Sequence, residues 1–190
     1  MIEFEKKILL TEKEFKKLLE LKTEGSECVV QNNYYYDSED LKMHNSGITC
    51  RIREKGGVCL ATVKTHKARE CDCSIESSKY VGNVHDDSFF ADMGIQLQGV
   101  LSTRRTILHK QQGIEVVLDQ NTYLGTTDYE LEIEYNPSMI NNVDDILSCL
   151  AGFLKSEDCI CSKKEFISRT QVCQSKSERF FNYKKSTLPK

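Results

Sequence analysis

The sequence predicts an α+β fold of about eight antiparallel strands, which close into a barrel or stack as a sandwich, with helices at the periphery. Strand-like runs follow one another with short polar or glycine-containing breaks. Gly56-Gly57 separates two such runs, as expected for a hairpin turn. Along several runs, charged residues alternate with apolar ones, which is the period of a β-strand.

The first half of the chain begins with a charged strand and a helix. In the strand, Glu3, Glu5 and Lys7 share one face. Thr11 and Glu14 have the spacing of a capping box, which predicts a helix over about 12–22. Four strands are then predicted, at residues 28–36, 48–55, 58–66 and 70–78, followed by a short helix at 85–93 that ends at Gly94.

The second half predicts three further strands and two helices. The strands cover residues 100–110, 114–121 and 127–135. Apolar residues at helical spacing follow Asn141, and a second helix is predicted from about 170 to 184. The whole chain, residues 1–190, is expected to form one domain.

Composition restricts the partners. The net charge is −3, from 26 Lys and Arg against 29 Asp and Glu, so no bulk field attracts nucleic acid or an anionic membrane. The sequence has no apolar run of spanning length and no export signal, so we expect a cytoplasmic protein. Its nine cysteines are odd in number, which favours reduced thiols, and Cys71-x-Cys73 and Cys159-x-Cys161 lack zinc-site spacing.

Charged strand faces recur along the chain. They carry Arg51 and Arg53, Lys64, Asp119, and Glu130, Glu132 and Glu134. In one strand alone, such alternation favours an ordinary half-exposed sheet. Like charges in register repel one another, however. A barrel with these faces turned inward resolves the repulsion, since an anion would meet the bases and a metal the acids.

Arg104 and Arg105 are adjacent, so only one of them shares the inner face of a regular strand. Ser102 and Thr106 make the Arg104 face more polar, which mildly favours Arg104.

The residue types indicate phosphate and metal chemistry. Mg²⁺ and Mn²⁺ prefer carboxylate and phosphate oxygens, and the planar fork of arginine matches phosphate geometry. The sequence has no Walker-type glycine-rich loop, so side chains would have to hold the phosphates. The four histidines show no paired ligand spacing and are interpreted as surface or turn residues.

Taken in order, these residues resemble the CYTH superfamily, the triphosphate tunnel metalloenzymes, and look closest to its small bacterial members of the YjbK type. The opening Glu-x-Glu-x-Lys of the family is matched by Glu3, Glu5 and Lys7. Its later motifs are matched by Arg51-Ile52-Arg53, Lys64, Asp119 and Glu132-Ile133-Glu134. The segment from Ser175 to Phe180 resembles the terminal helix of the family, which places a lysine and an arginine near the tunnel.

The resemblance implies an eight-stranded antiparallel barrel with a hydrophilic tunnel, and a role for each matched residue. The metal ligands would be Glu3, Glu5, Asp119, Glu132 and Glu134. The triphosphate would be bound by Lys7, Arg51, Arg53, Lys64, Arg104 or Arg105, Lys176 and Arg179. Catalysis would involve Lys7, Glu5 and Glu132, with Glu76 and Glu130 as further candidates. Lys163 and Lys164 compete with Lys176 and Arg179 for the terminal positions.

The resemblance further implies a triphosphatase that requires Mg²⁺ or Mn²⁺. Its substrate would be tripolyphosphate, a nucleoside triphosphate or thiamine triphosphate. Two alternatives remain open: an adenylate cyclase that converts ATP to cyclic AMP, and a non-catalytic module that binds polyphosphate or a nucleotide. The sequence leaves open whether the protein is a monomer or a homodimer.

Overall fold

The computed structural model describes residues 2–66, 73–111, 113–160 and 162–187, with the backbone alone at 2, 3, 66, 73 and 74. The strands are β1 (Ile2–Leu10), β2 (Cys28–Asp37), β3 (Ile48–Lys55), β4 (Val58–His66), β5 (Cys73–Val81), β6 (Gln96–Gln111), β7 (Ile114–Tyr123) and β8 (Thr126–Tyr135). The helices are α1 (Glu12–Leu19), α2 (Lys42–Asn45), α3 (Ile140–Ser156), α4 (Lys163–Ser168) and α5 (Lys176–Thr187). Short 3₁₀ turns cover Asp87–Met93, Pro137–Met139 and Arg169–Gln171.

The strands form a closed antiparallel barrel in the order β1-β5-β4-β3-β2-β6-β7-β8. β1 closes it, because its residues Phe4 to Leu10 pair with β8 while Ile2 to Phe4 pair with β5. The predicted α+β fold with an eight-stranded antiparallel barrel is therefore confirmed, and the sandwich alternative is wrong.

The hairpin at Gly56-Gly57 is confirmed. Lys55 pairs with Val58, which leaves the two glycines as the turn. Both have positive φ, +58° and +80°, which is the backbone that a two-residue type I′ turn requires at both positions.

The main hydrophobic core lies outside the barrel. Ile8, Leu118 and Ile133 point away from the barrel interior and are fully buried beneath α1, α3 and α4. Leu18 and Phe166 are among the helix residues that cover them. The helices thus bury the apolar strand faces, which leaves the opposite, charged faces to line the interior.

α5 closes one end of the barrel. Its Phe180 and Phe181 are buried in a second cluster with Tyr35, Leu101 and Tyr123. Phe180 also lies against Gly99, where a Cβ atom would approach the Phe180 ring to 2.8 Å. Gly99 therefore allows the helix to sit directly on β6.

Two predicted helix boundaries were wrong. The helix predicted to begin near 170 begins at Lys176, because Ser175 and Glu178 form a capping pair there: Glu178 N donates to Ser175 Oγ at 3.3 Å and Ser175 N donates to Glu178 Oε2 at 2.7 Å. The first helix ends at Leu19 rather than near 22, although its predicted capping box at Thr11 and Glu14 is present.

Two predictions near the cysteines lie partly outside the described residues. Of the strand predicted at 70–78, residues 70–72 are not described, and β5 runs from Cys73 to Val81. Cys71 and Cys161 also lie outside. Among the described residues, the thiols of Cys28, Cys50, Cys59, Cys149, Cys159 and Cys173 are free. No helix in the described ranges is long and apolar enough to cross a membrane.

Glu14 joins α1 to the C-terminal segment. Its carboxylate accepts hydrogen bonds from Arg169 Nη2 at 2.6 Å and from Thr11 N at 2.7 Å. Burial alone would raise the pKa of Glu14, but the hydrogen bonds from Arg169 and Thr11 outweigh it and lower the pKa. Ionised Glu14 therefore stabilises the fold above the ordinary pKa of a glutamate, and this contribution is lost as the pH falls through the lowered value.

We predict that Glu14→Gln lowers the free energy of unfolding by about 2 kcal/mol at pH 7, because it removes a hydrogen bond between charged groups. The difference from the wild type should shrink as the pH falls below about 4. Urea unfolding between pH 3 and 8 measures it. Glu12→Gln, at an exposed pair with Lys16, is the matched control and should leave stability nearly unchanged. A Glu14→Gln deficit that stays constant with pH would contradict this role of the Glu14 charge.

Candidate active site in the barrel interior

The barrel encloses a cavity of about 430 Å³ that lies against α5. This volume falls in the range of small-molecule sites. Its walls carry both signs of charge: the bases Lys7, Arg51, Arg53, Lys64, Arg105 and Lys176, and the acids Glu5, Glu76, Glu132 and Glu134. The alternating charged residues of the sequence therefore converge inside one closed barrel.

On one wall, β1 and β8 bring two carboxyl groups together. Lys7 Nζ lies 2.7 Å from Glu5 Oε1 and 3.6 Å from Glu132 Oε1. Burial raises the pKa of Glu5 to about 7 against the charge of Lys7, and the neighbouring Glu132 carboxylate adds to the rise. Burial would also raise the pKa of Glu132, but Lys176, Lys7 and Arg105 hold it well below its usual range. Glu5 is thus the member of the pair that holds a proton near neutral pH.

Next to α5, the buried acids are already neutralised. Lys176 Nζ lies 2.9 Å from a carboxylate oxygen of each of Asp119, Glu130 and Glu132. Arg179 contacts Glu130 at 2.8 Å and Asp128 at 2.9 Å. Lys176 and Arg179 therefore have carboxylate partners on the protein itself.

Arg105 links this network to β7. It makes a bidentate contact with Asp119, at 2.9 Å through Nε and 2.7 Å through Nη2. The same guanidinium reaches Glu132 at 2.7 Å and Glu134 at 3.3 Å. Asp119 is fully buried, and bases bind both of its carboxylate oxygens.

The wall formed by β3 and β4 has an excess of positive charge. Arg53 donates from Nε to Asn33 Oδ1 at 2.9 Å, and no described carboxylate lies within ion-pair distance of it. Burial, together with the charges of Arg51 and Arg105, lowers the pKa of Arg53 to about 10. Arg51 approaches Glu76 only to 3.7 Å, and its buried Nε has no hydrogen-bond partner. Among the described side chains, Glu76 at 3.7 Å is therefore the nearest carboxylate to this pair of guanidiniums.

Lys64, a further base on this wall, contacts two acids among the described residues. Its Nζ lies 2.9 Å from Glu76 Oε1 and 3.6 Å from Glu5 Oε1. Lys64 and Glu76 are opposite each other in the β4–β5 register, which fixes the contact. Lys64 thus connects the positive wall to the carboxyl pair.

Arg105, not Arg104, faces the interior, so the mild preference for Arg104 was wrong. Arg104 is exposed and donates to Cys28 Sγ at 3.5 Å on the outer surface. The inner face of β6 is Leu101, Thr103 and Arg105. Leu101 made this face look apolar in the sequence, but it is buried under the phenylalanines of α5.

The structure brings most of the other candidate residues into the interior. Glu76 and Glu130, the two further candidates, both lie inside. Lys176 and Arg179 reach the interior from α5, whereas Lys163 lies beside Gly152 of α3 and Lys164 is exposed. The side chain of Glu3 is outside the described part of the structure.

Sequence reasoning missed Asp128, Asn33, and the Thr49–Ser177 hydrogen bond of 2.8 Å that ties β3 to α5. Asp128 had a signal, because it continues the alternation of Glu130, Glu132 and Glu134 by one step. Asn33 and Ser177 had no such signal in the sequence, since each forms its hydrogen bond with a residue distant in sequence.

The carboxylate oxygens on this wall are of the type that binds a hard divalent cation. Glu5 faces Glu134 across the β1–β8 register, with Glu132 adjacent, and carboxylate oxygens are the ligands that Mg²⁺ and Mn²⁺ prefer. Burial is the main cause of the raised pKa of Glu5, and the nearby Glu132 carboxylate adds to it, because like charges repel unless a proton or a cation lies between them. Within the described ranges, however, no group of three or more His, Cys, Asp or Glu side chains is placed so that it could hold a metal ion without rearrangement.

The CYTH domain family model matches residues 1–144. YjbK of Bacillus subtilis (strain 168), whose name proposes a triphosphatase, is 29% identical over 148 residues, or 70% of this chain and 77% of that protein. A Bacillus halodurans structure, named as a proposed adenylate cyclase, is 25% identical with a TM-score of 0.64, covering 94% of this chain and 97% of the other. Hippeastrum HpAC1, a proposed adenylyl cyclase described as having a dominant triphosphatase activity, shares the fold at 17% identity and a TM-score of 0.59, over 83% and 88% of the two chains.

We predict that Arg105→Met destabilises the protein by about 3–5 kcal/mol, because the buried Asp119 carboxylate loses its bidentate contact with a guanidinium. Arg104→Met is the matched control on the adjacent, exposed residue and should change stability by less than about 0.5 kcal/mol. Thermal and urea unfolding measure both. Equal effects of the two substitutions would show that the assignment of Arg105 to the inner face of β6, and of Arg104 to its outer face, is wrong.

Proposed function

The chain belongs to the CYTH domain family, and we propose that it is a divalent-metal-dependent hydrolase that cleaves a phosphoanhydride bond of a triphosphate held inside the barrel. The observation that carries the proposal is the Arg51–Arg53 pair, whose partly buried guanidiniums have no carboxylate closer than 3.7 Å among the described residues. Buried positive charge is costly unless an anion accompanies it. The guanidinium fork matches the oxygen geometry of a phosphate.

The phosphates would lie along the positive wall. Arg51 and Arg53 supply planar forks from β3, and Lys64 and Lys7 supply point charges from β4 and β1. Arg105 contributes a further charge from β6, which only β2 separates from β3, although it also holds Asp119. These bases would neutralise charge on the equatorial oxygens while the chain positions the terminal phosphorus.

Glu5, Glu132 and Glu134, with Glu3, are the residues that we propose would hold the cation. A bound Mg²⁺ or Mn²⁺ would neutralise phosphate oxygens and orient the reacting groups. Asp119 was also expected as a ligand, but both of its oxygens are bound by Arg105 and Lys176, so we assign it to positioning those bases. For the same reason Lys176 and Arg179 are proposed to fix the carboxylates of β8 rather than to clamp phosphate.

The pKa values of Glu5 and Glu132 are shifted in opposite directions, which suits proton transfer in the reaction. Glu132 stays ionised, whereas Glu5 has a pKa near 7 and exchanges a proton at neutral pH. A carboxyl group with such a pKa is able to accept a proton from an attacking water. Lys7, which contacts both carboxyl groups, would keep them in place and meet a phosphate oxygen.

Two other functions use the same site. A cyclase would place the 3′-hydroxyl of ATP where the triphosphatase places water, and the Bacillus halodurans relative carries such a name. A non-catalytic binder of polyphosphate would gain from the bases, but it would gain nothing from the paired Glu5 and Glu132 carboxyl groups.

We predict that Glu5→Gln lowers the turnover of triphosphate by at least about 100-fold while the fold is retained, because it removes both a cation ligand and a proton acceptor. The assay offers tripolyphosphate, ATP and thiamine triphosphate with Mg²⁺ or Mn²⁺, and separates phosphate, diphosphate and cyclic AMP. The exposed Glu20→Gln serves as control. Hydrolysis at the wild-type rate by Glu5→Gln would refute the metal assignment, and cyclic AMP as the main product would favour the cyclase.

We predict separately that Arg53→Met weakens tripolyphosphate binding about 10- to 100-fold, since charge-assisted hydrogen bonds are lost from an enclosed site. Titration calorimetry measures the dissociation constant. The affinity of Arg53→Lys should lie between those of the wild type and Arg53→Met, because lysine keeps the positive charge but lacks the planar guanidinium fork. The exposed Arg104→Met should bind like the wild type. Unchanged affinity in Arg53→Met would remove the observation on which the proposed function rests.

A further inference from the structure

Three arginines of the barrel interior are held by the same contact, a hydrogen bond of 2.9 Å from Nε to a side-chain oxygen. The pairs are Arg105 with Asp119, Arg179 with Asp128, and Arg53 with Asn33. The geometry is the same in all three pairs, but the charge of the acceptor differs. Two acceptors are carboxylates, whereas Asn33 has the shape of an aspartate and carries no charge.

Asn33 fixes the direction of the Arg53 guanidinium. The two residues lie opposite each other in the β2–β3 register, and the Asn33 side chain is fully buried. Because the Nε–H of an arginine only donates, the amide presents its oxygen to Arg53. No described residue accepts a hydrogen bond from the two Nη groups of Arg53, so these groups are available to an anion in the cavity.

The amide group at position 33 is not explained by stability. The Nδ2 of Asn33 is buried and has no hydrogen-bond partner among the described residues, which costs free energy. An aspartate there would break no hydrogen bond with the described residues. It would also give Arg53 the kind of carboxylate partner that Arg105 and Arg179 have. Stability alone would therefore favour aspartate at this position.

The acceptor decides how far the charge of each arginine is compensated. Burial would lower the pKa of Arg105 and Arg179, but the carboxylates around these two residues outweigh it and raise both values. Arg53 has no described carboxylate within ion-pair distance, and its pKa is lowered to about 10. Arg53 is therefore charged at neutral pH, and its charge is not matched at the position where the other two arginines are matched.

We propose that Asn33 is a positioning residue that holds the Arg53 guanidinium in place without neutralising it, so that the charge is kept for the bound anion. The inference rests on the proposed function, in which that anion is the triphosphate. An aspartate would hold Arg53 in the same direction, but its charge would be spent within the protein. The aspartate would also repel an anion that lies beside it, because like charges in an enclosed site are weakly screened.

Thermal unfolding without ligand tests whether the charge of Arg53 is uncompensated. Asn33→Asp should raise the midpoint by about 2–4 °C, because a buried cation gains a partner. The reverse exchange at Arg179, Asp128→Asn, should lower the midpoint. Asn83→Asp makes the same change of charge at an exposed residue outside the cavity lining, so it is the matched control and should unfold and bind like the wild type.

Titration calorimetry with tripolyphosphate and Ca²⁺ tests what the charge is used for. Asn33→Asp should weaken binding at least about tenfold. Asn33→Leu has no acceptor and adds no charge, and it should weaken binding about three- to tenfold. In the Arg53→Met background, Asn33→Leu should change the affinity by less than about twofold, because Asn33 acts through Arg53. A merely structural role would give the same loss in both backgrounds.

The outcomes separate this inference from the proposed function. A lower midpoint or an unchanged affinity in Asn33→Asp would overturn the role of Asn33, as would equal losses from Asn33→Leu with and without Arg53. If Asn33→Asp does not fold, the Asn33→Leu comparison decides. The proposed function fails instead if the wild type binds tripolyphosphate but hydrolyses no triphosphate with Mg²⁺ or Mn²⁺. If the wild type binds no tripolyphosphate, both fail, and the midpoints still show whether the charge of Arg53 is uncompensated.

Discussion

The contact of Lys176 with Asp119, Glu130 and Glu132 is the interaction on which the rest of the structure depends. Three buried carboxylates on adjacent strands would repel one another and lose their hydration, at a cost that no apolar packing offsets. One ammonium group at 2.9 Å from each acid neutralises much of this charge, and Arg105 and Arg179 neutralise the remainder. Because the interior is thus committed to ion pairs, the hydrophobic core forms outside the barrel, against α1, α3 and α4.

α5 therefore has two kinds of contact with the barrel. Its phenylalanines bury apolar area against Tyr35, Leu101 and Gly99. Lys176 and Arg179 of the same helix reach into the interior of the barrel. The apolar contacts supply a docking energy that does not depend on salt, and the charges fix the position of the helix over the carboxylates of β8. The same helix consequently closes one end of the cavity and orients the acids inside it.

Much of the barrel was predictable from the sequence because strand alternation is a local property. It identified the inward faces of β1, β3 and β8 from their charges alone. It failed at Arg104 and Arg105, since Leu101 on the inner face is covered by a helix some eighty residues later in the chain. The contacts of Lys176 and Asn33 were likewise beyond local pattern, because each depends on how distant segments dock. Local periodicity thus specifies the face of a strand, and tertiary packing decides which charges pair.

The pairing divides the cavity into a balanced part beside α5 and two unbalanced parts. The Arg51–Arg53 wall has an excess of positive charge, and in the Glu5–Glu132 pair the pKa of Glu5 is raised to about 7 while that of Glu132 is held well below its usual range. An anion bound alone would face those carboxyl groups, and a cation bound alone would face the guanidiniums. In an enclosed cavity both repulsions are weakly screened. Each ion relieves the repulsion that the other would meet, so this arrangement of charges favours binding of an anion and a cation together over binding of either one.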